Sequence, residues 1–155
     1  FAGAAAALEE RAQTFQDLRA KKLAVDLLEA CTNCDVLKAT ELIDSGAPLD
    51  FSDEVGRTPL MYAAQESSDA IVTLLLGRGM ALDAQMDVGA TALMLALKSK
   101  ATDCVQILLD AKADVDVCTP EGWTALMIAA QMNSEEHLRQ LVAVNASLDF
   151  QEEVK

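Results

Sequence analysis

Four cysteines and one histidine are the residues of this chain that could support redox chemistry, metal binding or catalysis. Cys31 and Cys34 form a C-x-x-C pair, but thioredoxin-like chemistry needs a βαβ setting that the neighbouring sequence does not predict. A Cys₄ zinc site would need a second such pair, which the chain lacks. We expect Cys31 and Cys104 to pack in the core and Cys34 to lie between two helices. Cys118 falls in a turn, where exposure would make its thiol reactive.

The single histidine and the Gly-Arg-Gly segment at 77–79 complete no catalytic arrangement. His137 has no companions for a triad or a zinc site, and we expect it at the surface or the interior edge of a helix. The Gly-Arg-Gly segment does not precede a helix that starts with Lys-Ser or Lys-Thr, as a phosphate-binding loop would. We therefore expect no enzyme activity, no metal, no cofactor and no small-molecule substrate.

Acidic residues outnumber basic ones, and the imbalance is unevenly distributed along the chain. The formal net charge is −13, but residues 1–22 contain four basic and three acidic residues, so the remainder carries −14. Such a surface repels phosphate backbones, and nucleic-acid binding is not expected. The charge would favour a protein partner with a basic surface, or it only keeps the domain soluble; the sequence leaves both interpretations open.

Neither the hydropathy nor the first residues point to a membrane. No window approaches the roughly 18 uninterrupted apolar residues of a membrane span, so direct insertion is not expected. The opening FAGAAAAL lacks the basic leading residues of a signal peptide, and the thiols are expected to be reduced. Because the chain begins at Phe1 and not at Met, we expect that its natural start has been processed or trimmed. We expect an intracellular protein, cytoplasmic by default; an organelle protein that has lost its presequence is the alternative.

The secondary structure that positions the cysteines and the histidine is indicated by a sequence repeat of 33 residues. Three similar octapeptides, TPLMYAAQ, TALMLALK and TALMIAAQ, begin at Thr58, Thr91 and Thr124. A glycine precedes each threonine by two residues, and a similar apolar segment comes after each octapeptide. These segments cover residues 71–83, 104–116 and 137–149. A fourth, weaker copy leads the series over residues 26–50.

Each unit predicts two short helices joined by a tight turn. The threonine hydroxyl can cap the first helix, and Pro59 suits the first helical position. The second helix should end where Gly or Asn tolerates the left-handed conformation, at Gly46, Gly79 and Asn145. Lys112 suits the equivalent position less well. One helix pair cannot bury its own apolar face, so stacked copies must share a core.

With its Gly-x-Thr-Pro-Leu start, its paired alanines and its V-x-x-L-L second helix, the unit resembles the ankyrin repeat. The resemblance covers roughly residues 23–152 and implies an all-α solenoid of stacked helix-turn-helix units with β-turn fingers. The first and last units would act as caps. The expected organisation is a leader at 1–22 and a repeat domain at 23–155, with repeats at about 23–55, 56–88, 89–121 and 122–155.

The chain departs from the ankyrin pattern at three recurring positions, and at one of them the family's Pro survives only as Pro59. Met replaces the family's His at Met61, Met94 and Met127, and we expect these thioethers to fill that site by packing alone. The family's Gly between the two helices is replaced at Ser67, Lys100 and Asn133.

The resemblance implies protein–protein binding through the fingers and the exposed sides of the first helices, which line a concave surface. The positions that match this surface are Arg57, Tyr62, Gln65, Glu66, Asp87, Val88, Leu95, Lys98, Glu121, Trp123, Gln131 and Met132. Trp123 is the foremost candidate because binding hot spots favour Trp, Tyr and Arg. The alternative for Trp123 is a stabilising role, packed over the neighbouring finger.

The leader has Leu8, Ala12, Phe15 and Leu18 at helical spacing. It is predicted to be a helix packed on the first repeat or an arm that docks on a partner. Docking through the leader and the outer faces would make the chain a structural or accessory subunit of a larger assembly, organellar if the chain is imported. A third interpretation is an inhibitor that blocks the cleft of an enzyme, as some four-repeat ankyrin proteins do.

Overall fold

The computed structural model describes the backbone of residues 2–152 and the side chains of residues 3–145. Eight helices form four consecutive pairs over these residues, and the one bridge of β type joins Cys118 to Thr124. The all-α solenoid predicted from the sequence is confirmed. The helices are α1 (Ala2–Thr32), α2 (Val36–Asp44), α3 (Pro59–Gln65), α4 (Asp69–Gly77), α5 (Ala92–Lys98), α6 (Thr102–Asp110), α7 (Ala125–Gln131) and α8 (Glu135–Glu152).

Threonine caps begin the first helix of three units, as the octapeptide predicts. The Thr58 hydroxyl accepts the Met61 N–H at 3.4 Å, and Pro59 occupies the first turn of α3. The same bond caps α5 and α7, from Thr91 and Thr124. The side-chain oxygen satisfies an N–H that has no partner within the helix, which is why the octapeptide starts a helix at the same point in each copy.

Residues other than glycine adopt the left-handed conformation wherever the chain turns between paired helices. Ser67, Lys100 and Asn133 have φ of 58°, 57° and 51°, and Cys34 takes the same conformation in the first unit. An L side chain pays a steric cost in this region that glycine avoids. The stacked helices therefore hold these turns in place where the family pattern has Gly.

The predicted end of the last helix is wrong. Gly46 and Gly79 come after their helices with positive φ, and Lys112 does so at 69° despite its side chain. Asn145 instead lies inside α8, which continues to Glu152. Asn costs an α-helix only a fraction of a kcal/mol relative to Ala, and the Ala, Leu, Gln and Glu beyond it are good helix formers. No Gly or Pro stops the helix there.

The core lies between successive pairs, with α1, α3, α5 and α7 stacked in one row and α2, α4, α6 and α8 in the other. Met61 and Met94 are each only 1% exposed, so they fill the histidine site as expected. Met127 is 51% exposed, which contradicts that expectation for the last repeat. Leu126 and Val142 share its exposed face. The methionine is buried by the next repeat, and among the described residues no helix comes after α8.

The leader is helical, but it does not pack on the first repeat. It forms the first part of α1, which runs without a break through the expected boundary at residue 22. Every side chain from 3 to 22 is exposed except that of Ala20, which is half-buried. Burial begins at Ala24 and Leu27, where α1 meets α2 and α3. The exposed side chains argue against packing of the leader on the first repeat, and its docking on a partner stays a prediction.

Candidate partner-binding groove

Three tight turns of identical geometry form the fingers, at residues 53–57, 86–90 and 119–123. In each, the N–H of the first residue donates to the carbonyl oxygen of the last residue at 3.0 Å. The fourth residue is a glycine with positive φ: 79° at Gly56, 75° at Gly89 and 83° at Gly122. Because L side chains are disfavoured there, the glycine two residues before each threonine is required by the turn itself.

Neighbouring fingers lie against each other and form a continuous row. The Asp87 N–H donates to the Val55 carbonyl at 3.0 Å. The Gln85 amide donates to the carbonyl oxygens of Gly89 and Cys118 at 2.8 and 3.2 Å. A Cβ on Gly89 would lie 2.5 Å from Cδ of Pro120, so glycine also permits the close approach of the next finger. These contacts give the finger row a fixed spacing.

A groove of about 310 Å³ lies between the second and third fingers and reaches the first helices behind them. Its lining residues are Val88, Ala90, Met94, Lys98, Thr119, Glu121, Trp123, Ile128 and Gln131. Five of them were predicted from the repeat register to contact a partner: Val88, Lys98, Glu121, Trp123 and Gln131. The structure therefore brings together residues from two repeats that are up to 43 positions apart in the sequence.

Trp123 forms one wall of this groove. Its N–H donates to the Thr119 hydroxyl at 3.2 Å, and its carbonyl accepts the Thr119 N–H at 3.0 Å, so its backbone is fixed at the finger base. The residue remains 40% exposed. The exposed part of the side chain remains available to a partner.

The predicted residues of the first finger contact each other. The Tyr62 hydroxyl donates to Asp53 Oδ2 at 2.7 Å, and the Arg57 guanidinium carbon lies 5.7 Å from the centroid of the Tyr62 ring. Asp53 Oδ1 accepts the N–H groups of Val55 and Arg57 at 3.0 and 2.8 Å. Arg57 and Tyr62 therefore present a fixed surface, whose position depends on the Asp53 carboxylate.

Sequence reasoning did not assign a role to Asp53 at the first finger, nor to Met94 and Thr119 in the groove lining. Partial burial raises the pKa of the Asp53 carboxyl, but the hydrogen bonds from Tyr62 and from two backbone N–H groups outweigh burial and hold that pKa below its usual value. The hydrogen bond to Asp53, together with partial burial, raises the pKa of Tyr62. Met86 and Thr119 occupy the equivalent finger positions. An acidic residue at this position in one finger only, nine residues before a tyrosine, was the available signal.

The remaining predicted residues lie outside the groove lining. Leu95 and Met132 are half-buried against the core, and Asp87 is exposed at the second finger. The Gln65 carbonyl accepts the Ser99 hydroxyl at 2.7 Å, which links neighbouring first helices, and Glu66 is exposed beside it. They continue the surface toward the first finger without sharing the hollow around Trp123.

The residues that could do chemistry are divided between core and surface. Cys31 and Cys104 are buried, Cys34 and Cys118 are exposed, and all four are free thiols. Burial, together with the nearby Cys34, raises the pKa of Cys31 to about 12, and burial with the nearby Asp69 and Asp103 raises the pKa of Cys104 to about 11.

His137 lies in the interior, with 1% of its surface exposed. Its Nε2 is 3.3 Å from the Thr102 hydroxyl, and burial lowers its pKa. Among the described side chains, those of residues 3–145, no group of three or more His, Cys, Asp or Glu is arranged to hold a metal ion. None of the helices described combines the length and apolar character of a membrane span.

Two models of one repeat family match the chain. The model for ankyrin repeats in three copies matches residues 79–152, and the single ankyrin-repeat model matches residues 55–87. Together they cover residues 55–152, which include the second and third fingers, the last three residues of the first finger and the helices behind them. No curated protein is similar enough to the chain to count as a relative.

Proposed function

The chain belongs to the ankyrin-repeat family, whose repeats are generally protein–protein interaction modules without catalytic activity, and on that premise we propose how it binds. The groove between the second and third fingers holds an extended segment of a partner protein, and that segment is basic. Arg57, Tyr62 and the exposed first-helix residues extend the contact surface toward the first finger.

The partly exposed Trp123 side chain, in a groove lined by both apolar and polar residues, is the observation that carries this proposal. Ala90 and Ile128 are buried at the floor beside it, and Lys98, Glu121 and Gln131 are exposed around it. An apolar centre enclosed by a polar rim is the usual anatomy of a binding interface. Tryptophan in such a pocket is among the residue types that contribute most to binding energy.

The size and charge of the surface favour the stated partner chemistry. A hollow of about 310 Å³ accommodates a few side chains of one segment. Acidic residues at each finger (Asp53, Glu54, Asp87 and Glu121) outnumber the bases Arg57 and Lys98 on the same surface. The net charge of −14 on residues 23–155 extends that bias and would speed the approach of a basic segment at low ionic strength.

Two single substitutions of equally exposed apolar residues test the proposal. Trp123 lines the groove, and Leu126 lies on the open face of the last repeat; both are 40% exposed. A partner is first captured from native extract and purified, and its affinity is then measured for the wild type, Trp123→Ala and Leu126→Ala. We expect Trp123→Ala to weaken binding by about thirtyfold, equivalent to about 2 kcal/mol, and Leu126→Ala to leave it within about twofold.

Thermal unfolding of the variants separates binding from stability. The proposal requires that Trp123→Ala retain a cooperative transition and its helical circular dichroism while affinity falls. Equal affinities for Trp123→Ala and the wild type, or equal losses in both variants, would contradict binding through the groove.

The exposed leader favours a second function, that of a subunit docked in an assembly. Its large apolar side chains, Leu8, Phe15 and Leu18, are mostly exposed, and a partner protein would cover them. In that case, deletion of residues 1–20 would abolish capture, and Trp123→Ala would not affect it.

A further inference from the structure

A regular stripe of exposed apolar side chains runs along the leader half of α1. Leu8, Phe15 and Leu18 are 66%, 77% and 66% exposed, and Val25 continues the stripe at the point where the helix reaches the first repeat. The positions 8, 11, 15, 18, 22 and 25 alternate in steps of three and four residues. This is the spacing at which one helix contacts another along a coiled-coil seam.

Within residues 1–22, charged residues are sorted by sign around this stripe; beyond them, the half-buried Asp26 flanks its base next to Val25. Arg11 and Lys22 occupy the two seam positions that are not apolar. Arg19 and Lys21 flank the seam at the positions that face a paired helix. None of these four bases forms an ion pair with any described residue.

The acids of the leader lie on the opposite side of the helix. At 3.6 residues per turn, Glu9, Glu10 and Asp17 are each rotated by more than about 110° from the centre of the stripe. Asp17 accepts a hydrogen bond from Gln13 on that far side at 3.2 Å. Over residues 8–22 the stripe is therefore apolar and basic, although the chain as a whole is strongly acidic.

The stripe is long, straight and continuous with a hollow at its base. From Leu8 to Val25 it extends over about 25 Å of an unbroken helix. A hollow of about 420 Å³ lies where the helix meets the first finger, lined by Lys21, Val25, Leu28 and residues 51–54. Because Asp53 and Glu54 line this hollow, an acidic helix would bind along residues 8–22 of the stripe and would not enter the hollow.

We propose that the leader binds a helix of a partner protein whose apolar seam is flanked by acidic residues. Acidic side chains opposite Arg11 and Lys22 would set the register, because a charged residue at a seam position is costly without a partner. Arg19 and Lys21 would form the flanking ion pairs. This surface is separate from the groove at Trp123, so the chain has two docking sites for protein partners.

Charge selects this occupant over two others. In a parallel pair with a second copy, Arg11 and Lys22 would each face their own counterpart within the seam, and like charges so placed repel. A membrane with anionic lipids would attract the leader but repel the remainder of the chain, which carries −14. An acidic amphipathic helix satisfies both the apolar and the basic residues of the stripe.

Two synthetic heptad-repeat peptides test this proposal on the full chain. One has Leu at the seam positions and Glu at the flanking positions; the other has Lys in place of Glu. We expect the Glu peptide to bind the wild type, with an affinity that falls as salt rises from low to high ionic strength. The double variant Phe15→Ser/Leu18→Ser should bind at least about tenfold more weakly, since two apolar side chains no longer become buried.

Leu37→Ser is the matched control, because Leu37 is 80% exposed on α2 and lies off the stripe. It should bind the Glu peptide as the wild type does. All the altered side chains are exposed, and unchanged thermal unfolding would confirm intact folds.

Three results would overturn the proposal. The first is equal binding of the Glu and Lys peptides, and the second is an equal loss of binding with Leu37→Ser. The third is a stripe that serves another occupant. A second copy as the occupant would appear as a dimer in sedimentation that the double variant does not form. A membrane as the occupant would appear as binding to phosphatidylserine vesicles that the double variant loses, with no binding of the Glu peptide to the wild type.

Discussion

The three methionines of the octapeptide offer a test of how the solenoid is stabilised. Met61, Met94 and Met127 occupy the same position of three nearly identical helices, each four residues before the helix ends. The first two are covered by the following repeat, and the third is half exposed. Substituting each with alanine keeps the local chemistry constant and changes only the burial of the side chain that is removed.

The expected magnitudes depend on that burial. Removing a fully buried methionine side chain costs about 2–5 kcal/mol of unfolding free energy, because transfer energy is lost and a cavity remains. Removing an exposed one usually costs within about 0.5 kcal/mol. We therefore expect Met61→Ala and Met94→Ala each to destabilise the protein by at least about 2 kcal/mol. Met127→Ala should be close to neutral.

Urea denaturation monitored by circular dichroism measures the three differences. The comparison uses midpoints and slopes together, because a repeat protein that loses one internal interface can unfold in stages and lower the slope. Equal destabilisation by all three variants would refute the reasoning, because it would mean that the Met127 side chain is buried to the same extent as the other two.

Two further predictions concern the groups that could do chemistry. A thiol reagent at neutral pH should label the folded chain rapidly at the exposed Cys34 and Cys118. Cys31 and Cys104 should be labelled only on unfolding, because they are buried and their pKa values are raised. Rapid labelling of all four cysteines in the folded chain would contradict this burial. Burial lowers the pKa of His137 in the folded protein below the ordinary histidine value of about 6.5. The stability that its neutral form contributes should therefore be complete above about pH 6.5 and should decline as the pH falls toward the folded-state pKa. His137→Ile should lose less stability than the wild type between about pH 7.5 and pH 5, and parallel stability curves would show that the histidine does not titrate in this way.

The repeat register predicted most of the scaffold because its determinants are local. Thr58 caps a helix through a hydrogen bond to a residue three positions away, and Pro59 fits the first helical position by its own geometry. The glycine of each finger is required by the turn that contains it. Such features depend on a few neighbouring residues, so the sequence alone was sufficient for them.

Features that depend on a neighbouring repeat were predicted less well. Met127 has the same local sequence as Met94, and its exposure depends on whether a further repeat packs against α7 and α8. Asn145 was placed at a helix end by analogy with Gly46 and Gly79, but asparagine permits a helix to continue. The apolar stripe of the leader was compatible with packing on its own repeat or on a partner, because both use the same spacing.

The residues that line the groove could be predicted only in part, because some of their contacts recur in every repeat and others occur in one repeat only. Repeat alignment located Trp123, Lys98 and Gln131 on one surface, since residues at equivalent positions point in the same direction. Alignment could not show that Asp53 holds Tyr62, because that hydrogen bond exists in one repeat only.

The indole N–H of Trp123 offers the most direct test of the central claim, that a partner binds in the groove between the second and third fingers. The chain contains one tryptophan, so an isotope-labelled sample gives a single indole resonance in the nuclear magnetic resonance spectrum. When unlabelled partner is added to saturation, the account predicts that this resonance shifts, together with the backbone resonances of Val88, Lys98 and Gln131. A partner that saturates the chain and leaves the indole and these resonances in place would contradict it.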